Sequence, residues 1–222
     1  MSVELLKPQH FQVTKKLLFF SDSMFKGQAN ERSEIGRKFA CSIRAFGGFK
    51  MDSLSDKLDL VKTCIKGYYD AGIVLVGTVD LISDDFEMWS FMEKLKKLLL
   101  KFHYHIGCKH VVVIGFIPRA FCKSRTCSLT QCLYIHPGFS KVLPSDLNIR
   151  VWKVNKAVNE IIKYDERFKY FKFMNCCDRI MKLGSLDTSY GNFLSYDGLH
   201  LSKSGNHVLD NWLTKFLSDM EW

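Results

Sequence analysis

LLFFSDS, Leu17 to Ser23, is the stretch whose reading decides the fold. Four apolar residues run without a break, and no polar alternation marks one face as wet. Such a run reads as a strand buried on both faces. It stops at three residues that favour turns and helix caps, so the chain leaves a buried strand and enters a helix N-terminus. The same theme recurs downstream. CSIRAF (Cys41 to Phe46) is a second strand ended by Gly47-Gly48, IVLV (Ile73 to Val76) a third halted by Gly77, HVVVIGF (His110 to Phe116) a fourth, and YFKFM (Tyr170 to Met174) a marginal fifth.

Between these strands, apolar residues recur at helical spacing. Asp52 to Tyr69 carries Leu54, Leu58, Val61 and Ile65; Phe86 to Phe102 carries Phe91, Leu95, Leu98 and Leu99; Asn148 to Tyr164 carries Val151, Val154, Val158 and Ile161. Ser204 to Leu217 closes the chain as a helix, and Pro118 to about Pro144 is irregular. Buried strands alternating with amphipathic helices predict a parallel sheet between two helix layers. In such sheets functional residues sit in loops at the carboxyl ends of the strands.

Length and composition fit one domain spanning 1–222, with a core from about 16 to 218. Only four Pro are present, so nothing marks a linker. The net charge of +9 suits either plain solubility or affinity for phosphate backbones. Lys and Arg are spread along the chain, with Lys15, Lys16, Lys26, Arg32, Arg37, Lys38 and Arg44 biasing the N-terminal third. The opening MSVELLKPQHF lacks the apolar core of a signal peptide, and the longest apolar run, VVVIGFI, has strand length. No membrane span is expected, and the eight cysteines read as reduced thiols of an intracellular protein, cytoplasmic or nuclear. Cys122, Cys127 and Cys132 recur every five residues with His136 following, but the paired spacing of a zinc site is missing. Free thiols in an irregular loop is the reading, with no metal and no cofactor.

At the carboxyl ends of the strands stand the residues that carry chemistry. Ser23 follows the first strand, Gly48 the second, and Gly77-Thr78-Val79-Asp80 the third. Asp197 and His200 lie in YDGLHLSKSG (Tyr196 to Gly205), a loop running into the last helix. Taken singly, Ser23 is a helix cap, Asp197 a loop residue and His200 a partly buried histidine. Gly77 ends a strand, and Asp80 bonds to loop backbone. Arg119, after the fourth strand, either lines the cleft and meets an anion or is a solvated loop residue. Taken together, a serine, a histidine and an aspartate on one sheet edge are the parts of a nucleophilic triad.

These blocks resemble the SGNH, or GDSL-type, hydrolase superfamily. Its Gly-Asp-Ser block is matched by Ser21-Asp22-Ser23, its glycine after strand two by Gly48, its Gly-x-Asn-Asp block by Gly77-Thr78-Val79-Asp80, and its Asp-x-x-His block by Asp197 and His200. DGLHLS and Ile117-Pro118-Arg119 look most like the eukaryotic branch that includes esterase-like domains of retrotransposons. The resemblance implies an α/β, flavodoxin-like three-layer sandwich with five parallel strands. It further implies a small ester as substrate, Ser23 as nucleophile, His200 as base, Asp197 as its orienter, and Ser23 N–H and Gly48 N–H as oxyanion donors.

Two positions depart from the pattern. Ser21 replaces a glycine, and Val79 replaces the asparagine that donates to the oxyanion. Losing one such donor costs roughly 3 to 4 kcal/mol, or about 100- to 1000-fold in rate. The reading therefore leans to an ester hydrolase with a weakened oxyanion hole. The alternative is a catalytically inactive, RNA-binding module on the same fold. The OSK domain of the insect protein Oskar, which resembles the superfamily and binds RNA, provides a precedent that this basic chain is similar to in architecture.

Overall fold

Every strand of the sheet runs parallel to its neighbours, in the order β2-β1-β3-β4-β5. The computed structural model of the chain describes residues 14–22, 33–65, 67–118, 144–176, 193–194 and 200–222. The strands are β1 (Lys16–Ser21), β2 (Ala40–Ala45), β3 (Ala71–Leu75), β4 (His110–Ile114) and β5 (Phe171–Met174). Helices α1 (Glu34–Lys38), α2 (Met51–Cys64), α3 (Thr78–Leu81), α4 (Met88–Lys101), α5 (Pro144–Tyr164) and α6 (Lys203–Ser218) connect and cover them. This strand order is that of the flavodoxin-like doubly wound fold.

The two-residue period of a strand divides the core between the sheet's faces. Leu18, Phe20, Val74, Val111 and Val113 face α2, α4 and α5, packing with Leu54, Leu58, Leu95, Leu99, Val151 and Val154. Leu17, Phe19, Ile73, Leu75, Val112 and Ile114 face the other way, with Ile35 of α1 and Leu209, Leu213 and Leu217 of α6. Leu17, Leu18, Phe19 and Phe20 are all fully buried, which is why the run needs no polar residue. Each such side chain stabilises the fold by about 1.5–3 kcal/mol relative to exposure. β2 lies at the sheet edge and is only half buried, in keeping with its mixed sequence.

Element boundaries differ from the sequence expectation where local backbone chemistry overrides periodicity. The second helix stops at Cys64 rather than Tyr69, because Gly67 takes a left-handed φ of 97°. α4 begins at Met88 rather than Phe86, since the Glu87 carboxylate caps it by accepting from Trp89 and Ser90 N–H. At its far end α4 continues as a π-helical turn, Phe102–Gly107, which periodicity cannot distinguish from ordinary helix. α5 starts at Pro144, ahead of the expected Asn148. The one-turn helices α1 and α3 carry too few apolar residues to register a period. The helix start expected directly after LLFFSDS, and most of the irregular segment from Pro118, lie outside the described residues.

Candidate active site

In a doubly wound sheet the loops diverge where the strand order reverses, leaving a crevice at the carboxyl ends. Here the reversal falls between β1 and β3. Asp22, the residue that follows β1, is 1% exposed. Its N–H donates to Leu75 O at 3.1 Å, and its carboxylate accepts from Thr78 N–H at 3.3 Å. Ser21 O accepts from Phe46 N–H at 2.8 Å, which ties the end of β1 to the loop after β2. The Ser21 hydroxyl is buried and donates to Asp22 O at 2.8 Å, so the serine standing in the glycine position is satisfied locally. Charge-assisted and buried bonds of this kind are strong, because water cannot compete.

A second carboxylate links the loops after β2 and β3. Asp80 Oδ2 accepts from Met51 N–H at 2.9 Å, at the first residue of α2 and three residues beyond Gly48. The sequence expectation is a bond to loop backbone; the backbone that Asp80 holds is the first N–H of α2. Burial pushes the Asp80 carboxyl above the usual aspartate range, with the Met51 N–H and the Lys94 ammonium pulling the other way. Gly77 precedes α3 with φ of 98°, and an added Cβ would lie 3.2 Å from both Met51 Sδ and Phe91 Cζ. Both the conformation and the space thus call for glycine there. Gly48 is exposed with φ of 77°, and nothing lies within 4 Å of the position a Cβ would take. Its backbone is therefore open to a ligand. Val79 is half buried and brings no donor.

His200 is half buried on the segment that leads into α6. That segment is pinned immediately beyond it. Leu201 forms an antiparallel bridge with Leu194, Ser202 N–H donates to Phe193 O at 2.9 Å, and Ser202 Oγ caps α6 by accepting from Gly205 N–H at 3.0 Å. A Cβ on Gly205 would lie 2.0 Å from Phe193 O, so only glycine permits this approach. α6 is in turn fixed to α1. The Asp210 carboxylate, 5% exposed, accepts from Glu34 N–H at 2.7 Å and Ile35 N–H at 3.3 Å. Burial, and then the Asp210 charge, push the neighbouring Cys41 thiol up to about 12.

The Asp22–Thr78 bond ties the turn that holds Gly77 and Val79 to the end of β1, Gly48 lies in the loop whose Phe46 N–H donates to Ser21 O, and His200 is on the segment entering α6. Ser23 is the next residue after Asp22, and Asp197 precedes His200 by three. Ser23, Asp197 and Arg119 lie outside the described residues, as do Cys122, Cys127, Cys132 and His136. Among the described residues no group of three or more His, Cys, Asp or Glu is placed to hold a metal ion, and no helix is long and apolar enough to cross a membrane. Cys41, Cys64 and Cys108 carry free thiols.

Two supporting residues, Asn155 and Asp210, escaped the sequence reading, and Asp22 entered it only as part of a block, without its bond to Thr78 N–H. Asn155 clamps the loop after β4, with Oδ1 accepting from Phe116 N–H at 2.7 Å and Nδ2 donating to Phe116 O at 2.9 Å. Asn155 and Asp210 each interrupt an apolar helical stripe, between Val154 and Val158 and between Leu209 and Leu213. A polar residue on a core-facing stripe needs an internal partner, and that was the available signal.

No family model and no curated protein matches the sequence. Solved structures do match its fold. A proposed SGNH hydrolase from Slackia heliotrinireducens is 12% identical, with 92% of this chain and 99% of that chain covered at a TM-score of 0.62. A lipase/acylhydrolase from Enterococcus faecalis is 16% identical, covering 92% and 95% at 0.58. A catalytic mutant of an acetylxylan esterase from Geobacillus stearothermophilus is 12% identical, covering 94% and 95% at 0.63. The fold is that of the SGNH/GDSL hydrolases, over nearly the whole chain.

Proposed function

We propose that the chain is an ester hydrolase working through Ser23, His200 and Asp197. Ser23 Oγ attacks the ester carbonyl carbon while His200 takes its proton, and Asp197 orients the imidazole and stabilises its charge. Ser23 N–H and Gly48 N–H donate to the oxyanion, and Gly77 supports their loop. The intermediate collapses to an acyl-serine as the alcohol leaves with the proton from His200. Water, deprotonated by His200, then releases the acid. Val79 supplies no third donor, so the rate sits roughly 100- to 1000-fold below that of an asparagine-bearing site. Short acyl esters are the substrate class, a reading supported by the esterase and acylhydrolase descriptions of the matched folds.

The observation that supports this reading is the pair of bonds Asp22–Thr78 and Asp80–Met51, which tie the end of β1 and the start of α2 to the turn after β3, at the reversal of strand order. The test is labelling with a fluorophosphonate. Ser23 Oγ would displace fluoride and form a Ser–O–P bond, a mass increase that maps to Ser23 and is lost in His200→Ala. Labelling elsewhere, or none, contradicts the reading.

A second reading is an RNA-binding module that no longer hydrolyses esters. It is favoured by Val79 at the donor position and by a basic surface whose cations include several with no carboxylate partner among the described residues. Saturable, salt-sensitive RNA binding with no hydrolysis would select it.

A further inference from the structure

The amino-terminal edge of the sheet, opposite the candidate active site, carries a row of aromatic rings and lysines. Register places the starts of four strands side by side: Asp70 N–H donates to Lys16 O, His110 N–H to Asp70 O, and Val111 N–H to Tyr170 O. Over the starts of β4 and β5 lies the π-helical turn Phe102–Gly107. His103 of that turn sits between two tyrosines, its ring 5.0 Å from Tyr104 and 5.7 Å from Tyr170. Both tyrosines face solvent, Tyr104 at 70% and Tyr170 at 45% exposure, and Tyr164 at the end of α5 is 72% exposed.

Lysines accompany these rings. Lys169 lies 5.0 Å from the Tyr170 ring, Lys163 5.0 Å from Tyr164, and Lys15 5.6 Å from Trp222. Lys109 and Lys172 are close enough to His110 to lower its pKa, after the larger effect of burial. The carboxylates here are mostly engaged already, Asp70 by Lys15 at 3.6 Å and Asp165 by Arg167 at 2.6 Å, which leaves Glu166 exposed in the turn before β5. Among the described residues no carboxylate pairs with Lys109, Lys163, Lys169 or Lys172. Exposed rings are costly to hydrate, and unpaired lysines raise the local potential, so the surface calls for a partner with flat apolar faces and regular negative charge.

We infer that this edge binds a single-stranded polynucleotide, with bases stacking on Tyr104 and Tyr170 and phosphates held by Lys109, Lys163, Lys169 and Lys172. Stacking needs no sequence, because every base has a π-face, and lysines follow the backbone. The inference deepens the RNA-binding reading by giving it a surface. It is independent of ester hydrolysis, since strands of four to six residues separate the two edges by roughly 13–20 Å.

The experiment is fluorescence anisotropy with fluorescein-labelled oligo-uridine of about twenty nucleotides, long enough to span a site of this type. Wild type is expected to bind with log affinity falling against log salt at a slope near −3, about 0.7 for each of four phosphate contacts. The double variant Tyr104→Ala/Tyr170→Ala, which removes two stacking rings, is expected to bind at least roughly 30-fold more weakly. Tyr104→Phe/Tyr170→Phe keeps the rings and should bind like wild type, and Lys109→Gln/Lys169→Gln should flatten the salt slope by about one to one and a half. Circular dichroism confirms that each variant is folded, and Ser23→Ala should leave binding unchanged. No binding at about 50 mM salt overturns the inference and the RNA-binding reading together. Binding that both the tyrosine-to-alanine and the lysine variants leave intact overturns the surface alone. Phosphatidylserine vesicles retained through the same tyrosines, with oligo-uridine ignored, would assign the edge to a membrane and overturn the inference.

Discussion

Removing the Asp210 carboxylate should loosen the join between α1 and α6 by an amount the geometry allows to be worked out. Its two oxygens accept Glu34 and Ile35 N–H at 2.7 and 3.3 Å, and both donors open a helix whose first N–H groups have no partner within it. A buried donor left unpaired costs about 1–3 kcal/mol. Ile35 is 1% exposed and carries that cost in full, whereas the Glu34 bond is only partly buried and carries less. Asp210→Ala should therefore destabilise the protein by about 2–4 kcal/mol. With a urea m-value near 2 kcal/mol/M, the unfolding midpoint falls by about 1–2 M in circular dichroism. Asp210→Asn keeps one acceptor and should lose about half as much, while Cys41, relieved of the charge, alkylates faster than in wild type. An Asp210→Ala midpoint within about 0.3 M of wild type would refute the claim that this bond holds the two helices together.

Three further outcomes follow from the site. Asp80 is raised by burial above its ordinary 3.8, so the folded state holds the proton more tightly than the unfolded chain. Stability from this group is present below 3.8 and is lost as pH rises through the raised value. Asp80→Asn keeps an acceptor for Met51 N–H and should gain on wild type in melting temperature between mildly acidic and neutral pH, whereas Asp80→Ala should lose about 1–3 kcal/mol of unfolding free energy at both. Asn155→Ala strands the Phe116 N–H and C=O and should cost about 2–4 kcal/mol in the same denaturation assay. Val79→Asn offers the missing oxyanion donor and should raise kcat for a small ester by about tenfold or more, with little change in KM.

The sheet was legible in the sequence because its strands are buried on both faces, so that LLFF, IVLV and HVVVI announce themselves without context. The loops after them were legible because glycine and aspartate have few reasons to follow a strand: Gly77 proves to need its φ of 98°, and Asp80 proves to hold backbone. Long-range partners were not legible. Asp210 reaches Glu34 across 176 positions and Asn155 reaches Phe116 across 39, and nothing local to either residue names its partner. The π-helical turn after α4 was hidden because His103, Tyr104 and His105 continue a helical pattern while their backbone opens. α1 was missed for a simpler reason, since five residues with one buried side chain, Ile35, have no period to detect.

The central claim is that Ser23 and His200 still catalyse despite Val79. The measurement that meets it most directly is hydrolysis of p-nitrophenyl acetate by wild type beside Ser23→Ala and His200→Ala. The account predicts a wild-type rate above the buffer background that collapses in both variants, since each removes a member of one concerted unit. Wild type indistinguishable from buffer, or a rate that both variants retain, would contradict it.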